Sequence, residues 1–166
     1  MHILIDVQGY QSESKVRGIG RSTLAMSRAI IENAGEHRVS ILINGMYPID
    51  NINDVKMAYR DLLTDEDMFI FSAVAPTAYR HIENHGRSKA AQAARDIAIA
   101  NIAPDIVYVI SFFEGHSDSY TVSIPADNVP WKTVCVCHDL IPLLNKERYL
   151  GDPNFREFYM NKLAEF

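Results

Sequence analysis

Apolar residues follow two alternating rhythms along this chain. Short, almost continuous apolar runs occur at His2–Val7, Arg38–Ile43, Asp67–Ala73, Asp105–Ile110 and Thr133–Cys137. Each has the length of one strand, and the lack of polar alternation is the mark of strands covered on both faces. Between them, apolar positions recur every three or four residues. Arg21–Asn33 carries Leu24, Ala25, Ala29, Ile30 and Ile31 and stops at Ala34-Gly35, a C-cap pair. Asn53–Leu63 carries Val55, Met57, Ala58, Leu62 and Leu63. Arg80–Ala103 is alanine-rich and is stopped by Pro104, and Pro153–Phe166 reads as a last helix. This spacing predicts an α/β domain with a mostly parallel sheet. Right-handed crossovers then gather the C-terminal ends of the strands at one edge, where open α/β sheets bind ligands. The segments expected at that edge are Gln8–Gly20, Asn44–Asp50, Ser111–Ser119 and His138–Leu144.

Composition narrows the picture. The chain has 166 residues, 48% hydrophobic and 22% charged, which suits one globular domain with a real core. A formal charge of −5 argues against a nucleic-acid binder, whose affinity comes from neutralising phosphates. Cys135 and Cys137 lie two apart in an apolar run and are expected as two core thiols on one strand face. Their spacing matches neither a redox nor a zinc motif, and a reducing compartment suits them. The start of the chain is too short in apolar residues for a secretory signal, and no run of about 18 apolar residues occurs. The expected location is cytoplasmic.

The edge segments hold the candidate chemistry. Arg17-Gly18-Ile19-Gly20-Arg21 leads into a helix beginning with Ser22-Thr23. Free N–H groups at a helix start favour an anion, and Arg17 and Arg21 add forked donors suited to phosphate or carboxylate. A phosphate cradle and a flexible, solvated turn are both compatible with this stretch. Thr23 stands where a dinucleotide fingerprint needs its third glycine, and neither a phosphate-binding Gly-Lys-Ser/Thr nor a Gly-x-Ser-x-Gly elbow is present. The fourth strand delivers Glu114, Gly115, His116 and Asp118 to one loop, with Glu114 able to accept hydrogen bonds from sugar hydroxyls. The fifth delivers His138-Asp139, which face opposite ways if extended; a histidine there can donate to a phosphate or a substrate hydroxyl. His81 and His85 have helical metal spacing but no obvious third ligand, so no metal site is expected.

The combination of an Ile-Asp-Val first strand, Arg17-Gly18-Ile19-Gly20-Arg21, Phe113-Glu114-Gly115 and His138-Asp139-Leu140-Ile141-Pro142 resembles the N-terminal domain of group 1 (family 4 type) glycosyltransferases of the GT-B fold. The likeness leans toward bacterial mannosyltransferases of polysaccharide and O-antigen (lipopolysaccharide) assembly. It implies a Rossmann-like three-layer domain, residues 1–166, forming the acceptor side of a two-domain cleft. It implies a nucleotide-sugar donor (GDP- or UDP-linked), a glycan or lipid-linked acceptor, retention at the anomeric carbon and no obligatory cofactor or metal. By resemblance, His138 is the catalytic candidate beside the transferred sugar. Arg17, Gly18, Gly20, Arg21, Glu114 and Asp139 are the substrate-binding candidates. The donor-binding second domain does not follow within these residues, and the last helix reaches Phe166 without a stop signal. The expectation is therefore a piece of a longer enzyme, inactive alone, with peripheral attachment to the inner membrane left open. The competing expectation is a stand-alone, flavodoxin-like nucleotide- or phosphate-binding module without catalysis.

Overall fold

A computed structural model describes residues 1–125, 128–138 and 140–165. Five strands form one parallel sheet: β1 (His2–Asp6), β2 (Arg38–Asn44), β3 (Met68–Phe71), β4 (Ile106–Val109) and β5 (Lys132–Cys135), in the order β3-β2-β1-β4-β5. The helices are α1 (Gly18–Glu32), α2 (Ile49–Tyr59), α3 (His85–Ile102), the single turns α4 (Ile141–Leu144) and α5 (Lys146–Tyr149), and α6 (Pro153–Ala164). The chain is a Rossmann-like α/β domain. Its strand order reverses between β1 and β4, the switch point at which such sheets open a crevice.

Successive strand residues feed opposite cores, which is why the strands read as unbroken apolar runs. Ile5, Ile41 and Ile43 pack with Ile52, Val55 and Tyr59 of α2 and with Leu24 and Ile30 of α1. Leu4, Leu42, Val107 and Val109 pack with Ile99 of α3 and with Phe112, Tyr120 and Trp131. Both sheet faces are thus closed by apolar contact.

A polar lattice lies between these cores at the C-terminal ends of β1 and β2. The Asp6 carboxylate accepts from Arg95 Nε of α3 at 2.8 Å, with the two side chains 0% and 1% exposed. Asp6 also accepts from the Gln8 backbone N–H and side-chain amide. Gln8 in turn donates to the Thr121 carbonyl, and its own amide oxygen accepts from Thr121 N–H and the Asn44 side chain. Gln11 exchanges hydrogen bonds with the backbone of Asn44, and its carbonyl accepts from Asn51 of α2. Most buried polar groups in folded proteins are partnered in this way.

Several boundaries differ from the sequence pattern. The helix expected over Arg80–Ala103 begins at His85, because the preceding residues are captured by the β4 loop: Tyr79 and Arg80 N–H groups donate to the Gly115 and His116 carbonyls, and Asn84 donates to Ala78. α1 starts three residues early and takes Gly18–Gly20 into its first turn. α2 starts early as well, directly after Pro48. β5 ends at Cys135, which packs against the core, so Cys137 is an exposed thiol beyond the strand rather than a second core thiol. Phe166 lies outside the described residues.

Arg95→Met strands the Asp6 carboxylate in the interior. The expected loss of stability is about 3–5 kcal/mol, the usual cost of leaving a buried charge without its partner. Urea unfolding of the 166-residue chain measures it, and a loss below about 1 kcal/mol, typical of an exposed pair, would contradict a structural role for the pair.

Candidate functional site at the strand C-terminal edge

Three of the four edge segments meet around one cavity of about 260 Å³, lined by Ile19, the Ser111–Asp118 loop, His138, Pro142, Phe155 and Tyr159. Glu114 and His138 therefore face a common space, with the first turn of α1 beside them. Asp139 lies outside the described residues. Pro142 of α4 lines the same cavity as His138.

The α1 start borders the cavity through Ile19, and Arg17 and Arg21 flank that residue two positions away on either side. Arg17 is the N-cap residue and contributes no side-chain cap, so the first-turn N–H groups are left for solvent or a ligand. Arg17 and Arg21 are exposed and form no ion pair among the described residues. Gly18 and Gly20 do different things. A Cβ on Gly18 would meet nothing, whereas one on Gly20 would collide with the backbone of Lys15. The close approach that Gly20 permits is thus to the chain's own 3-10 turn, Glu13–Val16.

Glu114 lines the cavity. Burial, then the negative charge of Asp118, pushes its carboxyl from the ordinary 4.5 up to about 7, against a smaller downward pull from Ser14 and Arg17. Ser14 Oγ lies 3.5 Å from Glu114 Oε2, a contact at the limit of hydrogen bonding. Burial raises Asp118 too, although it accepts from Gly115 N–H at 3.1 Å. The loop turns at Gly115, whose φ of +104° and contact with the Tyr120 carbonyl leave no place for a side chain. Tyr47, from the segment after β2, is pushed above its ordinary value by burial and by the nearby acids Asp118, Asp6 and Glu114. A carboxyl that holds its proton near neutrality can both donate to and accept from a hydroxyl.

α6 closes the far side. Asp152 caps it by accepting from the Asn154 and Phe155 N–H groups, and Pro153 follows in the first turn. Phe113 stacks on Tyr159 with centroids 5.2 Å apart, and His116 meets Phe155 edge-on at 5.0 Å while its Nε2 lies 2.9 Å from Asn154 Oδ1. His81 and His85 are spent on other contacts. His85 stacks on Tyr79 at 4.3 Å and contacts the Tyr79 carbonyl, and His81 pairs with Arg80 and Glu83. Among the described residues, no three metal-ligating side chains gather, and no helix is long and apolar enough to cross a membrane.

Arg95, Gln8, Gln11 and Asn44, which support this edge from below, were not singled out as site residues in the sequence. Arg95 does leave a local trace: it falls on the stripe Ala91, Arg95, Ile99 that α3 buries. Asp118 was visible as the second acid of the Glu114 loop, whereas Ser14 leaves no trace, since its closeness to Glu114 depends on two folded loops meeting.

Comparison with known proteins adds a direct likeness. The chain is 99% identical over all 166 residues to a serotype-specific mannosyltransferase WbdA of Escherichia coli. A second protein of that name, also from Escherichia coli, is 95% identical over 141 residues, 85% of the chain. The chain spans about a fifth of the length of these curated relatives, 20% and 17%. No family model matches it, and no solved structure does.

Two substitutions separate the glycines. Gly20→Ala forces the Glu13–Val16 turn off α1, and about 1–3 kcal/mol of stability is expected to go, the usual cost of overpacking. Gly18→Ala is expected to be neutral or slightly stabilising, because alanine suits a helix better than glycine. Thermal melting of the two variants checks both.

Glu114 carries a pH signature. Its folded-state value of about 7 lies above the unfolded 4.5, so the folded protein binds the proton more tightly and stability falls as pH rises across that window. Glu114→Gln is expected to flatten this fall, read from denaturation midpoints at about pH 5 and about pH 8. An unchanged difference would mean that another group titrates.

Proposed function

We propose that residues 1–166 form the N-terminal, acceptor-side domain of a retaining mannosyltransferase, which passes the sugar of a GDP- or UDP-linked donor to a glycan or lipid-linked acceptor in polysaccharide (O-antigen) synthesis. The observation that carries this reading is the convergence of the α1 start, Glu114 and His138 on one cavity. Near-identity to a stretch of a serotype-specific mannosyltransferase supports it.

The chemistry divides naturally. As the anomeric carbon–oxygen bond breaks, negative charge builds on the leaving diphosphate and positive charge on the sugar ring. N–H groups of the α1 first turn, with Arg17 and Arg21, stabilise the former. Glu114 and His138 orient the acceptor hydroxyl toward the anomeric carbon. Asp139 is kept as a substrate-binding candidate by resemblance alone. The donor's nucleotide is held by a second domain outside these residues, so the 166-residue chain alone does not turn over. No metal or cofactor has a step in this scheme, and peripheral membrane attachment belongs to the whole enzyme.

In the full-length protein, His138→Ala is expected to lower kcat roughly 10²–10³-fold, the usual effect of losing one transition-state donor. The melting temperature should not change, since His138 is exposed. Sugar transfer from the labelled nucleotide-sugar measures it, and turnover within threefold of wild type would remove His138 from the reaction. Tight nucleotide binding by the 166-residue chain alone would instead favour a stand-alone phosphate-binding module.

A further inference from the structure

A second and larger cavity, about 420 Å³, opens between α3 and α6. It is not the edge cavity, yet Glu114 and Gly115 line both. We propose that this α3–α6 pocket is a separate saccharide-binding site that holds internal units of a glycan, remote from the hydroxyl being extended. The proposal rests on the transferase reading above, and its tests are chosen so that the two can fail separately.

The lining argues for a neutral, polyhydroxylated ligand. One part is aromatic: Tyr79 stacks on His85, and Phe158 lies 5.3 Å from the Tyr79 ring. Ring faces of this kind accept the C–H face of a sugar. The rest is polar and mixed in sign. Lys162 is only 5% exposed, and its ammonium donates to the Val122 carbonyl at 2.8 Å. An ammonium has three donors, so it retains capacity for a ligand oxygen. Gln92, whose amide donates to the Val122 carbonyl at 3.4 Å, and Asn161, hydrogen-bonded to Tyr79, keep further capacity to donate and accept, as does a protonated Glu114. Hydroxyls need such two-way partners.

Charge excludes the obvious rival. Glu114, Glu157 and Glu165 line the pocket against Lys89 and Lys162. With Glu114 protonated, the two remaining carboxylates balance the two ammonium groups, so a phosphate finds no net positive charge in this pocket. Size points the same way, since the volume falls within the range of small-ligand sites, roughly 300–1,000 Å³, and holds on the order of two hexose rings. Because Glu114 borders both cavities, a glycan lying in this pocket can pass it and present its end to His138.

The experiment uses the full-length protein with mannosides of one, two and three units as acceptors. Gln92→Ala and Asn161→Ala lie on the helices flanking the pocket, outside the transfer machinery. Each is expected to raise KM for the three-unit acceptor by about fivefold to tenfold, the scale of one lost hydrogen bond. The kcat, the donor KM and the KM of the one-unit acceptor should stay unchanged. Equal shifts for all three acceptors, or none, would overturn the pocket. Ligand-observed NMR with the three-unit mannoside and no donor gives a readout free of turnover. Wild type should bind and Asn161→Ala should bind more weakly; no binding by wild type also overturns the pocket. Binding without transfer to any mannoside would leave the pocket standing and remove the transferase reading alone.

Discussion

The ion pair between Asp6 and Arg95 is the constraint on which the ligand edge depends. Neither group touches water, so each is stable only in the other's presence and within the amide lattice around them. That lattice ties together elements that have no covalent reason to meet. β1 ends in Asp6, α3 brings Arg95, the first loop brings Gln8 and Gln11, β2 ends in Asn44, and Thr121 returns from beyond β4. Apolar packing alone fixes layers and leaves loops free to slide, because dispersion and burial have little direction. Hydrogen bonds have direction, and here they lock the root of the loop that carries Arg17 and Gly18.

This lattice explains how one edge presents two kinds of surface. Toward α1 the surface is cationic, and among the described residues no side chain of the N-cap position satisfies the helix start. Toward the β4 loop it is acidic, but burial and the neighbouring Asp118 raise the Glu114 carboxyl to about 7, and burial raises Asp118 as well. In the proposed sugar transfer, a leaving diphosphate and an acceptor hydroxyl would make those opposite demands. Burial produces the contrast by moving a carboxyl's proton affinity.

Much of this was legible in the chain. The five strands announce themselves because both of their faces are covered, and the C-terminal edge follows from crossover handedness. Glu114 and His138 could be assigned to that edge because each closely follows a strand. The start of α3 could not be read, because what stops the helix at His85 is a pair of hydrogen bonds to Gly115 and His116, about 30 residues away in sequence. The inclusion of Gly18–Gly20 in α1 was hidden for a related reason: glycine is a poor helix former, and the close contact with Lys15 outweighs that preference. Cys137 misled because apolar character continues past the last residue that pairs with β4. Arg95 and Asp6 are 89 residues apart, and only the folded sheet makes them partners.

The seam at Gly20 sets how this edge can respond to what it meets. The Glu13–Val16 turn rests on α1 with no space for even one methyl group between them. Turn and helix are consequently a single rigid block, itself held from below by Gln8 and Gln11. Any local plasticity at this corner has to reside in the long, solvated arms of Arg17 and Arg21 rather than in the backbone that carries them.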